Sequence, residues 1–198
     1  DLGNQARTGG GVCDSKLVNC TLTENYADSG GGIATSYGKY SVAYNCIIWG
    51  NSAWTAANYD YKAILDWSLR LAYSCTYPLP PVDEEGEENT NIDLAPEFVD
   101  AANGDFRLRT GSPGIDAGYS EIFEMFEMLG ILEEFVGVDT DLAGNPRISN
   151  GTVDMGAYEG AVDGYVISGR VQGNGPLSPM AAVVAQGGSV TFTATATD

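Results

Sequence analysis

The sequence contains no histidine among its 198 residues. That absence excludes a histidine base, a serine or cysteine nucleophile activated by histidine, and zinc sites with histidine ligands. Basic residues are also scarce, because nine Lys and Arg stand against 27 Asp and Glu, for a net charge of −18. A surface this acidic repels phosphate backbones and anionic lipids, so no nucleic-acid partner is expected.

Long apolar runs are lacking as well. No stretch of about 18 apolar residues occurs, so the sequence predicts no membrane insertion. The chain begins at Asp1 with neither Met nor a signal-peptide pattern, which favours a segment of a longer protein. Hydrophobic residues still make up 43% of the chain, enough for a folded core rather than a disordered acidic tail.

Glycine, in contrast, is abundant, and part of it repeats. Gly-Gly-Gly followed by Val or Ile occurs at 9–12 and again at 30–33. A second block, with the pattern Asn-Cys between β-prone residues, occurs at 18–22 and 44–48, with a weaker copy at 73–76. Periods of about 20 to 30 residues with short β-prone runs and glycine corners are typical of a solenoid in which each repeat forms one coil.

The cysteines follow the same repeat. If the coils stack in parallel, Cys20, Cys46 and Cys75 form a ladder on one inner wall, where small apolar thiols pack well. With Cys13 they make four, an even number that allows one or two disulfides. Side chains stacked in register point the same way, however, which suits the disulfide dihedral poorly and favours free thiols.

Several blocks carry a resemblance to a known family. The glycine corners, the Asn-Cys strands and the segment 73–78 resemble bacterial right-handed parallel β-helix proteins of the pectate-lyase-like superfamily. A further ordered series is similar to the choice-of-anchor type terminal region of such surface proteins. Its blocks are residues 95–100, 103–108, 111–118, 141–147 and 153–159.

The resemblance covers roughly residues 9–160 and implies a secreted or bacterial cell-surface protein. The expected fold is all-β, namely a right-handed parallel β-helix of few coils with a short inserted α-helix and C-terminal β-strands. The predicted divisions are coils at 1–118, a helical insertion at 119–137, a cap or terminal region at 138–163 and a partial β-sandwich at 164–198.

Two segments depart from plain coils. Five acidic residues within 83–88, after nearby prolines, predict an exposed loop. Apolar residues among glutamates at 121–135 predict a short helix that covers an open end or edge of the sheets.

Alternating residues at 165–171 and 189–196 resemble the first strands of bacterial immunoglobulin-like repeats. Because so few strands cannot close a sandwich, they are expected to pack on the coils or to mediate self-association.

Aromatic residues between 49 and 67 are the candidate ligand contacts, because exposed rings can stack on sugar faces. Trp54, Tyr59 and Tyr61 are predicted to bind a polysaccharide or a cell-surface glycan. Trp49 and Trp67 are expected to pack in or beside the core, as large aromatic residues usually do.

A calcium site is the candidate for a cofactor. The pattern at 139–145 offers oxygen ligands at the first and third positions and glycine at the sixth, but it lacks the remaining ligands of an EF-hand. The candidate ligands of a looser site are Asp139, Asp141 and Asn145, completed by Asp154 or Glu159. In the alternative, these aspartates make turn hydrogen bonds and Arg147 pairs with a nearby carboxylate.

No catalytic residue is assigned. Lyases of the resembled fold use a Lys or Arg base, but Lys16, Lys39 and Lys62 lie at unequal distances before the repeated cysteines and do not share a face. The prediction is therefore a non-catalytic binding or structural segment. The alternative is the C-terminal part of a polysaccharide lyase or glycoside hydrolase whose catalytic coils lie upstream.

Overall fold

The computed structural model describes residues 5–81, 89–128, 139–149, 151–161, 165–168, 177–178, 181–184 and 189–194. This part of the chain is predominantly β, as predicted, with two α-helices, α1 (Tyr61–Leu65) and α2 (Ile122–Met128). Neither helix is long and apolar enough to cross a bilayer. The strands are β1 (Gln5–Thr8), β2 (Val12–Cys13), β3 (Lys16–Val18), β4 (Thr21–Leu22), β5 (Tyr26–Ser29), β6 (Ile33–Ala34), β7 (Ser41–Tyr44), β8 (Ile47–Ile48), β9 (Ser52–Ala53), β10 (Leu69–Ala72), β11 (Cys75–Thr76), β12 (Phe98–Asp100), β13 (Asp105–Leu108), β14 (Tyr165–Ser168), β15 (Leu177–Ser178), β16 (Ala181–Val184) and β17 (Thr193–Ala194).

The first eleven strands form stacked parallel sheets. Three sheets have three strands each, in the orders β1-β5-β9, β3-β7-β10 and β4-β8-β11, and β2 pairs with β6. Gln5 lies beside Tyr26, and Tyr26 beside Ser52, so partners are 21 and then 26 residues apart in the chain. The repeat read from the sequence therefore corresponds to neighbouring strands of these sheets.

The glycine triplets lie where successive segments of backbone come closest together. A Cβ on Gly31 would lie 2.4 Å from the carbonyl oxygens of Ala57 and Ser52, and one on Gly10 would lie 2.5 Å from that of Gly31. The first glycine of each triplet, Gly9 or Gly30, has a positive φ, of 65° and 61° respectively. The triplets are thus required both by the turn and by the contact with the next segment.

Two hydrophobic cores lie on opposite faces of the sheet β4-β8-β11. Ile48 belongs to the first core, enclosed by the parallel sheets, and the adjacent Ile47 belongs to the second. This alternation follows from the period of two in a strand. The first core contains Leu22, Ile33, Ala43, Cys46, Ile48, Tyr59, Ala63, Leu69 and Leu71. The second contains Ile47, Cys75, Leu108 and Met155.

The predicted cysteine ladder is correct for two positions and wrong for the third. Between β8 and β11 the offset is 28 residues, because Ile47 pairs with Cys75, so Cys46 lies beside Ser74. The Cys46 N–H donates to Ser74 Oγ at 3.0 Å. Cys75 instead faces the second core, where burial raises the pKa of its thiol to about 12. All four cysteines are free thiols, as the stacking argument favoured.

The three ladder side chains make the same local hydrogen bond. Cys20, Cys46 and Ser74 each donate to the carbonyl oxygen two residues earlier, at 3.2, 3.1 and 2.9 Å. Because a thiol and a hydroxyl of similar size make the same contact, the position selects for a small donor rather than for sulfur.

Parallel pairing ends with a single bridge between Cys75 and Ile92. Strands β12 and β13 are antiparallel, joined through a 3-10 turn that ends at Gly104, whose φ is 79°. The region predicted as coils therefore ends in a hairpin. Among the strands near the C terminus, β14 pairs with β16 and β15 with β17, both antiparallel. These strands pair within the chain, and self-association through them stays a prediction.

Helix α2 lies within the predicted insertion. Its Phe126 ring packs edge-on against Tyr44 of the central strand β7, with 6.0 Å between ring centroids. The helix thus covers the outer face of a sheet, which corrects the prediction that it covers an open end or edge. Helix α1, capped by the Asp60 side chain, was not predicted. The rest of the insertion, 129–138, and the acidic residues of the predicted loop lie outside the described residues.

Candidate functional site

Trp54 lies just after β9, and its side chain is 81% exposed. Its indole N–H donates to the hydroxyl of Tyr26 on the neighbouring strand β5. Ala27 is fully buried, so Tyr26 points to the outer face of this sheet. Nearby, the Thr55 hydroxyl donates to the carbonyl oxygen of Asp28 at 3.1 Å and ties the turn to the sheet. The indole is therefore exposed and contacts the neighbouring strand through Tyr26.

The other predicted aromatic contacts do not join Trp54. Tyr59 is 2% exposed and packs in the first core, so its ring has no face free for a sugar, and the prediction is corrected there. Tyr61 begins α1, and its side chain lies outside the described part of the structure. Trp49 packs beside Tyr77, with 6.2 Å between ring centroids, in agreement with its expected place beside the core.

Trp67 is a second correction. It was expected to pack in or beside the core, but its side chain is 74% exposed. Its backbone has a φ of 63°, immediately after the residue that ends α1. The left-handed turn directs the side chain outward, which the composition of the segment alone did not indicate.

The candidate calcium ligands are arranged as a hydrogen-bonded turn. One oxygen of Asp141 accepts the backbone N–H groups of Ala143 and Asn145, at 2.9 and 2.7 Å. Its other oxygen accepts the Asn145 side-chain amide at 2.9 Å and the Glu159 N–H at 2.8 Å. Burial tends to raise the pKa of Asp141, but these donors together lower it.

Asp141 and Asn145 thus bond to each other within the chain, and calcium binding by the candidate ligands stays a prediction. Asn145 directs its amide N–H, not its oxygen, toward Asp141, and Asp139 is exposed to solvent. Within the described residues, no three acidic or cysteine side chains form a group that could hold a metal ion. The alternative stated from the sequence, a turn with Arg147 paired to a carboxylate, fits the observed contacts.

Arg147 is paired with Glu159 inside a buried cluster of charged side chains. We call it the carboxylate cluster, and its members are Asp141, Asp154, Glu159 and Arg147. Arg147 Nη1 lies 3.3 Å from Glu159 Oε1 and donates to the carbonyl oxygen of Gly156 at 3.1 Å. Burial raises the pKa of Glu159 to about 7 and also raises that of Asp154.

The carboxylate cluster joins distant parts of the chain. Asp154 accepts the N–H of Asp116 at 2.7 Å and that of Gly160 at 2.8 Å. Glu159 accepts the N–H of Asp154 at 3.1 Å. Because these carboxylate oxygens accept backbone N–H groups, the cluster holds the segment that covers the second core. Sequence reasoning did not identify this role, since nothing in the pattern marks Asp154 or Glu159 as buried.

Trp54 is therefore the candidate ligand contact on this sheet. Its partner Tyr26 was not identified from the sequence. Tyr26 could have been found from the repeat, because strands about 26 residues apart lie side by side.

When compared with family models, curated protein sequences and solved structures, the chain matches none of them.

Proposed function

We propose that the chain is part of a parallel β-helix of a secreted or bacterial cell-surface protein, and that its role there is non-catalytic carbohydrate binding. Stacked parallel sheets with offsets of 21 to 28 residues support the fold. The blocks that resemble the pectate-lyase-like superfamily and its choice-of-anchor region support the location.

The exposed indole of Trp54 carries the proposal of carbohydrate binding. A large aromatic side chain that contributes little to the core is available to stack on a sugar ring. The hydrogen bond to Tyr26 limits its freedom before a ligand arrives, which lowers the entropic cost of binding. The polar side chain of Asp28, exposed on the same face, offers a hydrogen-bond acceptor to sugar hydroxyls.

The test is a calorimetric titration with neutral oligosaccharides of plant and bacterial cell walls. Trp54→Ala should weaken binding at least tenfold, which corresponds to about 1.4 kcal/mol. Tyr37→Ala removes another fully exposed ring and should leave binding unchanged. Equal losses in both variants, or no binding by the native chain, would refute the proposal. Depolymerisation of the glycan, measured as new reducing ends, would refute the non-catalytic role.

A further inference from the structure

We propose a second ligand site, in the groove between α1, β10 and α2, for an organic anion that carries a six-membered ring with an apolar face. The groove is open to solvent and has a volume of about 830 Å³, and its walls include Trp67, Arg70, Tyr73, Tyr119 and Met125. This volume lies in the range of sites for small organic ligands. We call this space the helix groove. It lies on a different sheet from Trp54, so the proposal is independent of carbohydrate binding there.

Trp67 supplies an exposed ring, and its backbone conformation is strained. It occupies a left-handed position just after Asp66, the C-cap of α1, where Gly or Asn is usual because a bulky side chain strains the turn. The same side chain is mostly exposed, so burial in the core does not compensate for the strain. Backbone strain of this kind is concentrated at functional positions.

Arg70 supplies the charge. It lies in the middle of β10, exposed between the buried Leu69 and Leu71, and makes no ion pair with a described residue. An arginine in these surroundings is complementary to a carboxylate or sulfate, which its planar guanidinium binds through two parallel hydrogen bonds.

A stacked pair of tyrosines forms another wall. The rings of Tyr73 and Tyr119 lie 4.6 Å apart at an angle of 14°. The backbone of Tyr119 is held by the side chain of Asn45, which accepts its N–H at 2.8 Å and donates to its carbonyl oxygen at 3.2 Å. The Tyr119 hydroxyl donates a hydrogen bond to Glu121 at 3.0 Å, and Glu121 is not among the described residues that line the groove. The wall is therefore formed before a ligand binds.

These features define the ligand by two properties. A six-membered ring with an apolar face matches the exposed indole and the tyrosine wall, and an acidic group matches Arg70. Such a ligand comes from two sources, a sugar acid or an aromatic acid. The shared chemistry is a ring that bears a carboxylate or sulfate, and the experiment separates the two sources.

The first experiment varies ring and charge independently, with binding followed by the NMR signal of the Trp67 indole, which reports on the helix groove and not on Trp54. The probes are glucuronate and 4-hydroxycinnamate, their neutral counterparts methyl glucoside and 4-hydroxycinnamyl alcohol, and acetate as an anion without a ring. At least one ring acid should bind about tenfold more tightly than both its neutral counterpart and acetate. The tighter acid identifies the source. If acetate or the neutral rings bind as tightly as the acids, the proposal is overturned.

The second experiment uses variants. Arg70→Gln should weaken the ring acid about tenfold and leave its neutral counterpart unchanged, whereas Arg7→Gln, on the outer face of another sheet, should change neither. Trp67→Gly should remove binding while raising the melting temperature, because it relieves the left-handed strain. A purely structural Trp67 would lower the melting temperature instead. Unchanged binding in either Arg70→Gln or Trp67→Gly contradicts the proposal, whatever the outcome at Trp54.

Discussion

At the scale of single residues, the ladder position at Cys46 shows what the first core accepts. Its side chain is fully buried, donates to the carbonyl oxygen of Tyr44, and lies next to Ser74. A small group with one donor meets all of these contacts. A carboxylate has no donor for the carbonyl oxygen of Tyr44.

Cys46→Asp should therefore destabilise the fold by about 3–5 kcal/mol, because an unpaired charge would be buried. The matched control is Cys46→Ser, which reproduces the side chain already present at Ser74 and should cost about 1 kcal/mol. Urea unfolding followed by tryptophan fluorescence measures both. Equal free energies of unfolding for the two variants would show that the register around Cys46 is misassigned.

Glu159 makes stability depend on pH. Since burial raises its pKa in the folded chain from 4.5 to about 7, its favourable contribution is complete below about pH 4.5 and is lost as pH rises through about 7. The free energy of unfolding should fall by up to about 3 kcal/mol over that window. Asp154, whose pKa is also raised, acts in the same direction.

Glu159→Gln should flatten the fall between pH 5 and 8, because the amide does not ionise. Asp139→Asn, at an exposed carboxylate of the same region, should retain it. Urea unfolding at pH 5, 6, 7 and 8 provides the comparison. Stability that rises across this range in the native chain is the result that contradicts the assignment.

At the scale of elements, the glycine triplets determine how closely successive segments stack. Gly31→Ala places a methyl group 2.4 Å from two carbonyl oxygens and should cost about 3 kcal/mol, because neighbouring backbone cannot yield cheaply. Gly38→Ala is the control, since Gly38 also lies in a turn but nothing lies within 4 Å of its added Cβ.

Gly38 has a φ of 74°, so its substitution should cost about 1 kcal/mol from left-handed strain alone. Thermal unfolding followed by circular dichroism separates the steric from the conformational cost. A smaller loss for Gly31→Ala than for Gly38→Ala would mean that the segments are not in close contact.

At the scale of the whole molecule, two cores on opposite faces of one sheet connect the parallel strands to the later segments. Met155, near the end of the described chain before β14, packs in the second core with Ile47 and Leu108. The carboxylate cluster holds the same segment through Asp116 and Gly160. The parallel sheets and this covering segment therefore stabilise each other.

Met155→Ala should lower the free energy of unfolding by about 2–5 kcal/mol, because it leaves a cavity between the sheet and the covering segment. Met128→Ala, at a methionine that is 79% exposed on α2, should cost less than about 1 kcal/mol. Urea unfolding distinguishes the two variants. Similar losses would show that the second core contributes little to the fold.

The sequence predicted the repeat and the parallel stacking, but it placed particular residues in the wrong environment. Cys75 repeats the Asn-Cys block imperfectly, and a difference of one residue in spacing moved it to the other core. Tyr59 is buried and Trp67 is exposed, the reverse of what the sequence predicted. For Trp67 the reason is the left-handed turn after α1, which the composition did not indicate. These errors arise from register and backbone conformation, which neighbouring segments decide.

The sequence by itself determined the all-β class, the periodic stacking and the exclusion of histidine chemistry, because each follows from residue types and their spacing. Only the tertiary structure decided which side chains are exposed on the sheets, that the candidate calcium ligands form a hydrogen-bonded turn, and that Trp67, Arg70 and two stacked tyrosines share one groove. The physical reason is that a shift of one residue in a strand exchanges its buried and exposed faces, and long-range contacts set that shift.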